Sequence, residues 1–194
     1  MRVTEEPARE RILGAAEELF AEYGFEATPT SRIAERAGVP KGLVHYYFKR
    51  KPDLLEALVD RLPDERIPVE QAVVPGRMAE SLCRLVDQLD AALDSSAVLS
   101  HLLWREADTH PVVLAALQVR HDRLVVGIRE VMVAALPGCA ATADVDSAAR
   151  LLASALSYRH SVARHGTDEP GDEFRREARF LAEALAAGAG KLSN

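Results

Sequence analysis

The stretch that decides the fold is Ile33-Ala34-Glu35-Arg36-Ala37-Gly38-Val39-Pro40-Lys41-Gly42-Leu43-Val44-His45-Tyr46-Tyr47-Phe48. Gly38 separates two short helical patterns and stands where a tight turn needs a positive φ, which glycine adopts without a Cβ penalty. Ala34 is small, as it must be if the second helix crosses closely over the first. Val39 and Val44 point into the angle between the two helices, Leu43 and Tyr47 extend the fit, and Phe48 packs as core. The pattern reads as a helix-turn-helix, in which the second helix enters the major groove of DNA with its N-terminal residues nearest the base edges.

The flanks agree with this reading. Residues 7–23 carry Ile12, Leu13, Ala16, Leu19, Phe20 and Tyr23 at helical spacing. Gly24 is placed to end that helix and Phe25 to make the apolar contact that follows such an ending. Thr28-Pro29 predicts a helix start, with the hydroxyl as N-cap and proline at the first helical position. Pro52, Asp53 and Glu56 predict another start, with Leu54, Leu55, Leu58 and Val59 as its apolar face.

Charge must be read locally. The chain carries a net charge of −6, which by itself argues against DNA. Residues 36–52, however, contain Arg36, Lys41, Lys49, Arg50 and Lys51 and no acid, a patch of +5. A basic face on an acidic protein favours docking at one place and repels DNA elsewhere. Lys41 is positioned to donate to guanine O6 or N7. Gly42 permits close backbone approach, His45 and Tyr46 lie on the exposed side, and Lys51 at a helix start suits a phosphate.

The Gly24–Thr28 segment, Ile33–Gly42, Tyr46-Tyr47-Phe48 and Lys51 through Leu55 together resemble the signature of TetR-type regulators, over about residues 7–60. The resemblance implies a homodimer that binds a near-palindromic double-stranded DNA operator and represses until a small-molecule effector releases it. It also implies that Thr30 and Ser31 approach DNA from the first helix. Lys41, Gly42 and Leu43 match the base-proximal positions, and His45, Tyr47 and Lys51 the phosphate-contacting ones. The sequence departs from the pattern at Pro40, Leu43 and His45, where the family often has Ser or Thr, Thr, and Tyr. Leu43 cannot donate a hydrogen bond, although it can touch a thymine methyl. An activator of the same type, or a helical scaffold that binds no DNA, are the alternative readings.

The fold class expected is all-α. Residues 1–51 form a three-helix DNA-binding domain and residues 52–194 a helical ligand-binding and dimerisation domain. Residues 52–61 make a connecting helix. Residues 62–75 make a loop or short helical turn, because Pro63, Pro68 and Pro75 break any longer helix. Further helices are predicted at about 77–93, 96–109, 111–136, 144–165 and 172–188. The last two carry alanine-rich stripes that allow close approach, so Leu152, Leu156, Arg159, Ala178, Leu181, Ala182 and Leu185 are the expected dimer interface. The alternative is that these stripes face their own subunit's core. An apolar pocket is expected to draw on Met78, Leu82, Leu99, Leu103, Trp104, Ala107, Leu117, His121, Val125 and Tyr158.

Other classes are disfavoured. The histidines His101, His110, His121, His160 and His165 show no HxxxH or HExxH spacing, so no metal is expected. No GxSxG motif exists, so no enzyme and no cofactor are expected. Cys83 and Cys139 form no CxxC pair. The absence of a signal-peptide pattern and of a long apolar run points to a cytoplasmic protein without membrane association.

Overall fold

The computed structural model describes residues 5–62, 69–94, 96–137, 144–162 and 171–190. Among them every regular element is helical: α1 (Glu5–Tyr23), α2 (Thr30–Ala37), α3 (Lys41–Tyr47), α4 (Pro52–Val59), α5 (Val69–Ala72), α6 (Met78–Asp94), α7 (Ala97–Ala107), α8 (Pro111–Ala135), α9 (Val145–Val162) and α10 (Gly171–Gly190). The fold is all-α, and the helix boundaries fall within a few residues of those read from the sequence. The region after α4 holds one short helical turn, α5, before Pro75. Cys139 and His165 lie outside the described residues.

The chain divides into two compact units. The first comprises residues 1–63 together with 98–117. The second comprises 64–97 and 118–194. The boundary therefore falls inside α8, after Leu117.

The core of the first unit contains Ile12, Leu13, Leu19 and Phe20 from α1, Ile33 and Ala34 from α2, Val44 from α3, and Leu54, Leu55 and Leu58 from α4. Leu99, Leu102, Leu103 and Ala107 of α7, with Val113 and Leu117 of α8, belong to the same core. Gly24 ends α1 at φ 85°, its N–H donating to the Phe20 carbonyl at 2.9 Å, and Phe25 tucks back with its ring 5.0 Å from that of Phe20. This is the ending that the sequence predicts.

The start of α2 differs from the expectation. Thr28 does not cap it. The residue is fully buried, and its hydroxyl lies within hydrogen-bonding distance of the carbonyls of Gly24 at 2.8 Å and Leu19 at 3.2 Å. Pro29 takes the N-cap position with extended dihedrals, and α2 begins one residue later. The hydroxyl thus turns back toward the last turns of α1 instead of forward to α2. Thr28→Val keeps the shape and removes the hydrogen bond of a fully buried hydroxyl, so it is expected to lower stability by about 1 kcal/mol. A denaturant midpoint equal to that of the parent protein would remove this role.

In the second unit α10 packs on α6, and the core combines Leu82, Leu85 and Val86 with Ile128, Val131 and Met132 of α8 and with α9 and α10. Asp144 opens α9. Its Oδ1 accepts the Ser147 N–H at 3.0 Å, and hydrogen bonds from Ser147 hold its carboxyl below the usual range. Arg159 of α9 donates to Asp90 of α6 at 3.0 Å, both side chains being only 14 % exposed, and its guanidinium lies over the Phe174 ring of α10.

The stripes on α9 and α10 face largely inward. Leu152, Leu156, Ala178, Ala182 and Leu185, expected at a dimer interface, are buried in their own unit. Arg159 is engaged by Asp90, and Leu181 is half-buried. The large apolar side chains that face outward are Leu151 (62 % exposed) and Tyr158 (70 %) on α9 and Phe180 (70 %) on α10. The physical reason is that helical periodicity identifies an apolar stripe but does not tell a stripe that packs on its own subunit from one that meets a partner.

Candidate nucleic-acid interface

The reader is built from α2 and α3. Ile33, Ala34 and Ala37 are the buried face of α2 and Val44 that of α3. Gly38 adopts φ 63°, ψ 39°, the left-handed conformation. That turn lets its N–H donate to the Glu35 carbonyl at 3.1 Å and the Val39 N–H to the Ala34 carbonyl at 3.0 Å. Pro40 is the N-cap of α3 without a side-chain bond, and its carbonyl accepts the Leu43 N–H at 2.9 Å. At the far end the Phe48 N–H donates to Val44 at 2.8 Å and the chain leaves in extended conformation.

The side chains proposed to meet DNA keep accessible surface. Ser31, Lys41, Gly42, His45 and Tyr46 are exposed, while Thr30, Leu43, Tyr47 and Lys51 are half-buried. Tyr47 packs against the core, and Tyr46 stands edge-on to it with ring centroids 5.2 Å apart. Lys49 lies over the Tyr46 ring at 5.9 Å.

The basic patch is not uniformly free. Arg36 pairs with Glu18 at 2.7 Å, and Arg50 with Asp53 at 3.0 Å. Asp53 also accepts the Arg50 N–H at 2.9 Å. Both acids lie outside the 36–52 window, so a local charge count does not see them. Exposed pairs of this kind are weak and screened, so exchanging a carboxylate for a phosphate costs little. Lys51 folds back, with Nζ 4.2 Å from the Phe25 ring centroid and donating to the Glu26 carbonyl at 3.3 Å.

Two groups near the reader were not singled out by sequence reasoning. Arg32, exposed on α2, lies over the Tyr23 ring at 3.8 Å. Phe25 meets His110, from the corner between α7 and α8, with ring centroids 4.6 Å apart. No local pattern joins two residues so far apart in the chain.

The residues expected to line a pocket divide between the units. Leu99, Leu103, Ala107 and Leu117 are in the first unit's core, with Trp104 packed against it. Met78 and Leu82 are in the second unit's core, with Val125 packed against it. His121 Nδ1 lies 3.2 Å from Ser157 Oγ, and Tyr158 faces outward. Between α9 and α10 an open apolar groove is lined by Leu151, Leu152, Ala155, Phe180 and Leu181, with Arg176 and Glu177 beside them. Among the described residues no cluster of three or more His, Cys, Asp or Glu could hold a metal ion, and no helix is long and apolar enough to cross a membrane.

A glycine-turned helix pair with the second helix exposed, beside cations, defines a helix-turn-helix DNA-binding protein. Residues 12–58 match the pattern of the bacterial regulatory proteins of the tetR family. The chain is 27 % identical to the HTH-type transcriptional regulator UidR of Escherichia coli K12, over 96 % of this chain and 93 % of that protein. To the HTH-type transcriptional regulator TtgR of Pseudomonas putida it is 40 % identical, over 32 % of this chain and 31 % of that one. The fold is shared with GusR of Salmonella enterica, at a TM-score of 0.67 and 22 % identity over 98 % of this chain and all of that one. It is shared also with PfmR of Thermus thermophilus, a TetR-family transcriptional regulator, at 0.63 and 20 % identity over 90 % and 98 %. Residues 12–58 thus carry the DNA-binding segment of the tetR-family regulators, and over nearly its whole length the chain is similar to an HTH-type transcriptional regulator.

Proposed function

We propose that the protein is a homodimeric repressor that binds a near-palindromic operator and is released from it by a small-molecule effector. The observation that carries the DNA-reading part is α3, which offers Lys41, Gly42, His45 and Tyr46 to solvent on a turn fixed by Gly38. Lys41 and Gly42 stand at its N-terminal end, the end that lies nearest base edges in this class of reader. Thr30, Ser31, Leu43, Tyr47 and Lys51 complete the surface. In this reading residues 1–51 contact DNA and residues 52–194 serve effector binding and dimerisation, with the open groove of α9 and α10 as the meeting face.

Effector coupling is proposed to use residues 98–117. They share a core with α1–α4, and α8 runs on past Leu117 into the second unit. An effector that binds better to the arrangement unfit for DNA lowers operator affinity by its preference between the two arrangements.

Enrichment of duplexes from a random-sequence pool tests the reading. The expected product is a two-fold-related site with half-sites about 34–36 Å apart, one turn of DNA. Recovery of no such site at low salt overturns it. Lys41→Ala is expected to relax base preference at one position of each half-site and to cost about 1–3 kcal/mol of discrimination there. Weakening that is uniform across sequences would instead make Lys41 a phosphate contact.

A further inference from the structure

Phe25 is almost fully buried, yet it lies in the turn after α1, and three side chains hold its ring. Phe20 meets it edge-on at 5.0 Å, His110 edge-on at 4.6 Å with the planes 78° apart, and the Lys51 ammonium sits 4.2 Å from its centroid. The His110 ring is itself fixed. Its Nδ1 lies 3.1 Å from the Glu106 carbonyl oxygen and 3.0 Å from Thr109 Oγ1. The Glu106 carboxylate lies 3.7 Å from the same nitrogen, and Arg105 donates to the other carboxylate oxygen at 3.1 Å. These residues all belong to the first unit.

We infer that His110 is a positioning residue for DNA binding, acting through Phe25 on Lys51. This rests on the proposal above that Lys51 meets a phosphate. A lysine stem is flexible, and holding its ammonium in place before DNA arrives reduces the entropy lost on contact. The Phe25 ring and the Glu26 carbonyl provide that hold. The His110 ring, packed nearly perpendicular to it, helps to hold that ring's orientation. Displacement of the α7–α8 corner is thereby transmitted to a DNA contact without any movement of α3.

A double-mutant cycle on the full chain tests this, with mixed-sequence duplex DNA at low salt as the probe, because phosphate contacts carry that affinity. His110→Ala is expected to weaken binding about fivefold in the parent protein and to have no further effect in Lys51→Ala, as coupled residues behave. His110→Phe, which restores a ring edge, is expected to recover binding. His110→Leu fills the space without an aromatic edge and replaces the alanine form if that form is unfolded in a thermal melt. Additive effects of the two substitutions, or a folded His110→Phe protein that binds as weakly as the alanine or leucine form, overturn the inference and leave the phosphate contact standing. Binding by Lys51→Ala equal to that of the parent overturns the phosphate contact and this inference with it.

Discussion

Gly38→Val is expected to destabilise the protein by about 2 kcal/mol or more and to abolish DNA binding in the fraction that still folds. Gly38 holds φ 63°, where a side chain with two branches at Cβ meets its own backbone. A Cβ built on Gly38 finds no atom within 4 Å. The cost at Cβ is therefore one of backbone conformation, which makes the prediction discriminating. Gly38→Asn has a side chain too, but asparagine tolerates the left-handed region, so it is expected to retain most of the stability. A marginally stable domain feels a change of this size. Binding suffers beyond stability, because relief of the strain shifts φ and redirects α3 relative to α2. Equal denaturation midpoints for the valine and asparagine forms would show that the turn conformation is not what Gly38 supplies.

That turn was legible in the sequence because everything defining it is local. A glycine between two helical patterns, small and branched residues at fixed offsets, and a proline at the start of each helix are enough to place α2, α3 and α4. Where a residue chooses between a local and a tertiary partner, the sequence misleads. Thr28 has the chemistry of an N-cap, yet its hydroxyl turns back toward the carbonyls of Leu19 and Gly24. Distance in the chain hides the rest. Nothing near residues 98–117 announces that Leu103 and Val113 share a core with the reader, or that His110 meets Phe25 edge-on. The pairing of Arg36 with Glu18 is hidden in the same way, and it makes the basic patch less uniform than its composition. On α9 and α10 helical periodicity located apolar stripes, but the exposed Leu151, Tyr158 and Phe180 stand outside the stripes that the spacing favoured.

That last difference changes which substitution breaks the proposed dimer. Phe180→Glu is expected to yield a folded monomer with little operator binding. Phe180 is largely exposed in the single chain, so its loss removes little from the fold. In a two-fold interface the same residue appears on both partners, and it both borders the groove and projects beside it. Burying one phenylalanine contributes about 2–3 kcal/mol, and the symmetric pair about twice that. A glutamate must also be desolvated, so the dimerisation constant is expected to fall at least a thousandfold, roughly 4 kcal/mol. A monomer reaches one half-site only, and binding to the full palindrome falls with it. Sedimentation velocity and a gel shift on the enriched site read the two effects separately. Leu152→Ala is the contrasting case: that side chain is buried in its own unit, so truncation is expected to cost about 2–5 kcal/mol of folding stability. A Phe180→Glu protein that stays dimeric at micromolar concentration would move the interface away from the groove between α9 and α10. An unfolded one would mean that Phe180 supports its own subunit in a way its exposure does not suggest.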